Sequence, residues 1–112
     1  MTERDETRLW IAQRASAAVL ALFVAVHLVT MIVAVKGGLN AADILGRTRG
    51  SVAWALFYAL FVLAVAVHAP IGLRNVAAEW LQWRGSGANL CCVAIGALLL
   101  ALGWYAVAAV TL

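Results

Sequence analysis

Three long apolar runs dominate the chain, from Ala15 to Val35, from Val52 to about Leu73 and from about Leu90 to Leu112. Each covers the roughly 20 residues that a helix needs to cross the hydrocarbon core of a bilayer. Between them, Lys36 to Ser51 carries Gly37, Gly38, Asn40, Gly46 and Gly50, and Arg74 to Asn89 contains Arg84-Gly-Ser-Gly87. Both segments read as breaker-rich connections. The pattern predicts an all-α membrane protein with three transmembrane helices, over about 15–35, 52–73 and 90–112, in a single membrane domain spanning residues 1–112. The opening Met1-Thr-Glu-Arg-Asp-Glu-Thr-Arg8 is polar, but the apolar run behind it is longer than a signal-peptide core and lacks a small-x-small cleavage motif. The first span is therefore expected to be retained.

Composition sharpens this picture. At 112 residues, 66% hydrophobic and 12% charged, the chain carries more apolar surface than a soluble domain of its size can hide, which excludes a self-contained soluble catalytic domain. Arg4, Arg8 and Arg14 precede the first span and Arg74 and Arg84 follow the second, against Lys36, Arg47 and Arg49 between them. The positive-inside rule then places the N-terminus in the cytoplasm and the C-terminus outside. Trp10, Trp54, Trp80, Trp83 and Trp104 fall near span ends, where indoles favour the interface. Cys91 and Cys92 are neighbours in an apolar run and read as packing residues, without the spacing of a metal site or a disulfide framework.

The two histidines, His27 and His68, both lie inside spans, where an ionisable group is costly and is by default a candidate for function. An intramembrane imidazole also serves as a neutral group hydrogen-bonded to a neighbouring helix. At 100° per residue, Trp54, Phe57, Phe61, Ala64, Gly72 and Asn75 fall within roughly 60° of His68. The small residues Ala64 and Gly72, one turn to either side, suit either a flat macrocycle held by axial ligation or a tightly packed helix. Pro70 removes a helical hydrogen bond next to His68 and is expected to kink the span there. On the first span Gln13, Ser16, His27 and Thr30 form a polar stripe within about 100° of arc.

Depth separates the two imidazoles. His27 lies about 20 Å along the helix from Arg14, whereas His68 lies about 9 Å from Arg74 on the same membrane side, so their heights differ by about 10 Å. One macrocycle with both axial ligands from this chain is not expected, because the two nitrogens would have to lie about 4 Å apart across the iron. Each histidine instead calls for a partner residue from another subunit.

His68-Ala-Pro-Ile-Gly-Leu-Arg-Asn75, continuing to Glu79-Trp80, resembles the H-x-x-x-G-[IL]-R-H-x-x-x-D segment of the cytochrome b membrane-anchor subunits of succinate dehydrogenase and fumarate reductase, respiratory complex II. Gln13-Arg14-Ala15-Ser16 resembles the H-R-x-[ST]-G of the same family at the start of its first span. Gln13, Ala17, Asn75 and Glu79 stand where that pattern has histidine, glycine, histidine and aspartate. Three spans in a chain of this length also match the family plan.

The resemblance implies a haem b-binding anchor in a multi-subunit helical bundle, with His68 as an axial ligand of the haem iron. It implies that Arg14, Ser16 and Arg74 lie near a quinone pocket and the haem propionates. His27 resembles the first-span histidine of two-haem anchors, so one or two haems are implied, two being the form that the depth difference favours. The partners implied are an iron–sulfur subunit, a flavoprotein subunit, a second membrane-anchor subunit and quinone, in a bacterial-type inner (cytoplasmic) membrane and without nucleic acid. The chain would contribute no catalytic residue of its own, since it has no flavin or iron–sulfur motif. Two other readings share the sequence features: a small b-type cytochrome subunit of another membrane dehydrogenase, and a haem-free membrane scaffold subunit.

Overall fold

The computed structural model describes residues 2–112 and is helical, in the order α1 (Glu3–Lys36), α2 (Ala41–Thr48), α3 (Val52–Trp80) and α4 (Ser86–Thr111). The helices α1, α3 and α4 are each long and apolar enough to cross a membrane. They form a slender bundle 48 Å long and 25 × 22 Å across. Helix α3 is central, with α1 packed on one side and α4 on the other.

The three predicted spans are present, but α1 begins twelve residues before the expected start at Ala15 (15 − 3 = 12). The reason is local. Thr2 and Asp5 form a capping box, Thr2 Oγ1 accepting from the Asp5 N–H at 3.2 Å and Asp5 Oδ2 accepting from the Thr2 N–H at 3.3 Å. Glu3, Asp5 and Glu6 in the first turn also oppose the positive end of the helix dipole. A charged segment thus continues the transmembrane helix instead of leading into it as coil. In the same way α3 runs on from Leu73 to Trp80, carrying Arg74, Asn75 and Glu79 as helical residues.

The connection expected over 36–51 contains a helix that its glycines hid. Gly38 at φ +94° turns the chain after α1, and Asn40 Oδ1 caps α2 by accepting from the Ala42 N–H at 2.8 Å. Thr48, buried at the end of α2, donates from Oγ1 to the Val110 carbonyl at 2.6 Å, and the Gly50 N–H donates to the Thr111 carbonyl at 2.8 Å. These bonds fasten α2 to the last turn of α4.

Small residues bring α4 against α3. Ala88, Cys92, Gly96, Val107 and Thr111 are its buried positions, spaced to lie along one stripe. Lipid is as apolar as leucine, so such close packing, and not exclusion of water, holds helices together in a bilayer. Gly96 faces Pro70: a Cβ there would stand 2.6 Å from Pro70 Cγ and 3.4 Å from the carbonyl oxygen of Ala66. That carbonyl is the one that Pro70 deprives of its helical donor. α3 continues as helix through Pro70. Gly103 receives the Val62 side chain in the same manner. Cys92 is buried and Cys91 exposed, both as free thiols.

Candidate functional site

The helices α1 and α3 run antiparallel in a register that pairs Gln13 with Gly72, Ser16 with His68, Phe23 with Phe57 and Phe61, and His27 with Tyr58. Ser16 Oγ lies 3.3 Å from His68 Nδ1, and the Tyr58 hydroxyl lies 3.5 Å from His27 Nδ1. His27 therefore sits opposite a residue ten positions before His68 (68 − 58 = 10), which separates the two imidazoles by about 15 Å along the bundle at 1.5 Å per residue. The register thus sets the two imidazoles at different depths, in the direction read from the flanking arginines. The structure does not bring His27 and His68 together.

Around His68 the wall is tight. Ser16 is buried and also donates from Oγ to the Gln13 carbonyl at 3.1 Å. Gln13 Nε2 lies 3.3 Å from where a Gly72 Cβ would stand, so Gly72 makes room for α1, and the small residues beside His68 serve helix packing within the chain. Whether this wall suits a haem then depends on the imidazole itself. Among the described residues the His68 Nε2 has no hydrogen-bond partner, and its Nδ1 is tied to Ser16. A ring held at Nδ1 leaves Nε2 open to a metal or to a group of a partner chain.

His27 borders a cavity of about 680 Å³ that opens over α3 between α1 and α4. Tyr58, Phe61, Gly103 and Ala106 supply its apolar wall, and Arg47 of α2 stands at it as a cation. The His27 ring meets Tyr58 and Phe61 edge to face, with centroids 5.8 and 5.6 Å apart. Trp54 stacks on Tyr58 at 5.6 Å and lines the same space. A large apolar cleft with one imidazole and one cation in its lining suits a flat macrocycle bearing carboxylates. No three His, Cys, Asp or Glu side chains gather among the described residues, so the donor set is that of isolated imidazoles and not of a bare metal site.

A second, more polar pocket of about 460 Å³ lies at the N-terminal end of α1, beside the C-terminal half of α3. Trp10, Gln13, Arg74, Asn75, Glu6 and Glu79 border it. Arg74 is its organiser: Nε donates to Asn89 Oδ1 of α4 at 3.1 Å and Nη2 to Glu6 Oε1 of α1 at 3.3 Å, so one guanidinium links three helices. Gln13 Oε1 is the one buried side-chain polar atom without a hydrogen-bond partner among the described residues. Arg14 does not join this group. It is exposed on the adjoining face of α1, its guanidinium 5.2 Å above the ring of Trp10.

Of the five residues singled out from sequence, the structure thus joins Ser16 to His68, puts Arg74 in the polar pocket two turns of α3 away, sets Arg14 on the rim and gives His27 a cavity of its own. Tyr58, Glu6 and Asn89 play no part in the sequence reading of the site, and Arg47 and Trp54 enter that reading only as a loop cation and as an aromatic near a span end on the His68 arc. Tyr58 falls about 80° from His68 around α3, outside the arc of roughly 60° to either side of His68, and its contact exists only in the register with α1.

Neither the curated proteins nor the solved structures give a match to this chain. The sequence model of the succinate dehydrogenase/fumarate reductase transmembrane subunit matches residues 1–104, nearly the whole chain and all three long helices up to the last turns of α4. The chain belongs to that family, and its role is that of a multi-pass membrane subunit in a succinate dehydrogenase/fumarate reductase complex.

Proposed function

We propose that the chain is a haem b-binding anchor that docks the flavoprotein and iron–sulfur subunits at a bacterial-type cytoplasmic membrane and helps form the quinone site. Residues 1–112 act as one membrane-anchor domain with a cytoplasmic N-terminus. The observation that carries this reading is the pair of intramembrane imidazoles, each facing a hydroxyl of the opposite helix at Nδ1 and, among the described residues, without a hydrogen-bond partner at Nε2. A bound haem b would supply reversible one-electron chemistry.

His68 would hold one haem iron and His27 a second, farther from the docked subunits. The separation of about 15 Å requires the opposite ligands to come from a companion anchor subunit or a second copy. Arg47, in the lining of the His27 cavity, carries the charge to pair with a propionate. Electrons from succinate reach quinone by way of the flavoprotein and iron–sulfur subunits, or run in reverse for fumarate reduction. The quinone headgroup would bind at the polar pocket, where the positive charge of Arg74 can stabilise a carbonyl oxygen. Ser16 lies behind this pocket next to Gln13, and Arg14 is aimed away from it, toward the companion subunits.

The test is to purify a tagged chain from membranes in mild detergent. The expected result is co-purification of a flavoprotein and an iron–sulfur protein with a b-type reduced-minus-oxidised spectrum. A colourless, well-folded complex would leave the haem-free scaffold as the correct account.

A further inference from the structure

The Ser16 hydroxyl touches two groups, the Gln13 carbonyl oxygen at 3.1 Å and His68 Nδ1 at 3.3 Å. A hydroxyl has one proton and can accept through its lone pairs. The carbonyl oxygen can only accept, so a hydrogen bond to Gln13 uses the Ser16 proton. The contact with His68 then becomes a hydrogen bond only if Nδ1 carries the imidazole proton and donates it to Oγ. Were the proton aimed at Nδ1 instead, the contact with Gln13 would be two facing oxygens with nothing between them. One arrangement satisfies both contacts: Nδ1–H donates to Ser16 Oγ, and Ser16 Oγ–H donates to the Gln13 carbonyl.

We propose that Ser16 is the positioning residue of His68, fixing the tautomer in which Nδ1 is protonated and Nε2 keeps its lone pair for the haem iron. This rests on the haem reading above and changes the part assigned to Ser16 from the resemblance. With its single proton committed to Gln13, the hydroxyl has none to donate to a quinone carbonyl. Ser16 is buried, so its hydroxyl is engaged by these two groups and not by bulk solvent. Donation to Gln13 also makes Oγ a better acceptor, through the cooperativity of chained hydrogen bonds. An acceptor at Nδ1–H in turn raises the basicity of the ligand nitrogen, which favours the ferric over the ferrous iron. Tyr58 is the useful contrast. Its hydroxyl faces His27 Nδ1 at 3.5 Å with no second partner among the described residues, so it fixes no direction for the proton and carries no comparable assignment.

The test is a redox titration, followed at the haem α band, of the intact complex carrying wild-type, Ser16→Ala, Ser16→Thr or Tyr58→Phe chains, with the haem count measured on each. In Ser16→Ala the haem count is retained and the midpoint potential of the haem lost in His68→Ala moves upward. A tenfold loss of ferric stabilisation corresponds to about 59 mV for a one-electron couple. Ser16→Thr, which keeps the hydroxyl, returns the potential toward wild type, and Tyr58→Phe leaves that haem unmoved. An unchanged potential in a fully loaded Ser16→Ala complex overturns the proposal, as does an equal upward shift in Ser16→Thr. Should the alanine variant not assemble, Ser16→Cys, with a much weaker acceptor, is read by the same criterion. Failure of the haem reading itself shows differently, as a wild-type complex without haem or a His68→Ala complex with its full count.

Discussion

The Cβ that Gly96 lacks would stand 2.6 Å from Cγ of Pro70, inside any contact that real side chains make. Two residues that weaken helices in water are thus each other's packing partner in the membrane. Pro70 frees the Ala66 carbonyl, and Gly96 lets the α4 backbone approach close enough to cover it.

Replacing Gly96 should therefore cost stability through overpacking. The pyrrolidine ring is rigid and cannot swing aside, so Gly96→Leu is expected to destabilise the subunit by about 1–3 kcal/mol. The loss is read as a lower melting temperature of the solubilised complex. A control substitution at the exposed neighbour Leu98, Leu98→Ala, should leave it nearly unchanged.

The link between Arg74 and Glu6 predicts a split between stability and turnover. Their side chains are 27% and 57% exposed, so solvent screens the pair and its loss in Glu6→Gln should cost no more than about 1 kcal/mol. Arg74→Gln also removes the bond to Asn89 and, among the described residues, the one cationic side chain bordering the polar pocket. Steady-state quinone reduction by the purified complex should show a raised KM for quinone in Arg74→Gln and a near-normal one in Glu6→Gln. Equal effects of the two would detach Arg74 from the quinone.

The orientation is equally open to measurement. An alkaline phosphatase fused after Leu112 should be active, and one fused within the connection between α3 and α4 inactive. The arginine balance is thereby tested without reference to haem.

Much of the architecture was legible in the sequence because transmembrane spans obey a length rule that no tertiary contact overrides. The spans around His27 and His68 were read directly, and so was the separation of the two imidazoles in depth. What escaped was set by short-range geometry. The capping box at Thr2 and Asp5 extends α1 through a charged segment that hydropathy discards, and that extension is what carries Glu6 to Arg74. Helix α2 is stabilised by its bonds to the end of α4, which a single segment's glycines cannot reveal. The contact of Ser16 with His68 depends on the register between two helices. Both residues and their faces are legible in the sequence but their pairing is not, and the family motif groups Ser16 with Arg14, which lies on a different face of α1.

The central claim is that His68 and His27 each hold a haem b in the assembled complex. It is tested most directly by a pyridine haemochrome count per flavin on the intact wild-type complex and on His68→Ala and His27→Ala variants. The account predicts two haems in the wild type and the loss of a different one in each variant, distinguished by midpoint potential. A wild-type complex with no haem, or one whose count survives both substitutions, would contradict it.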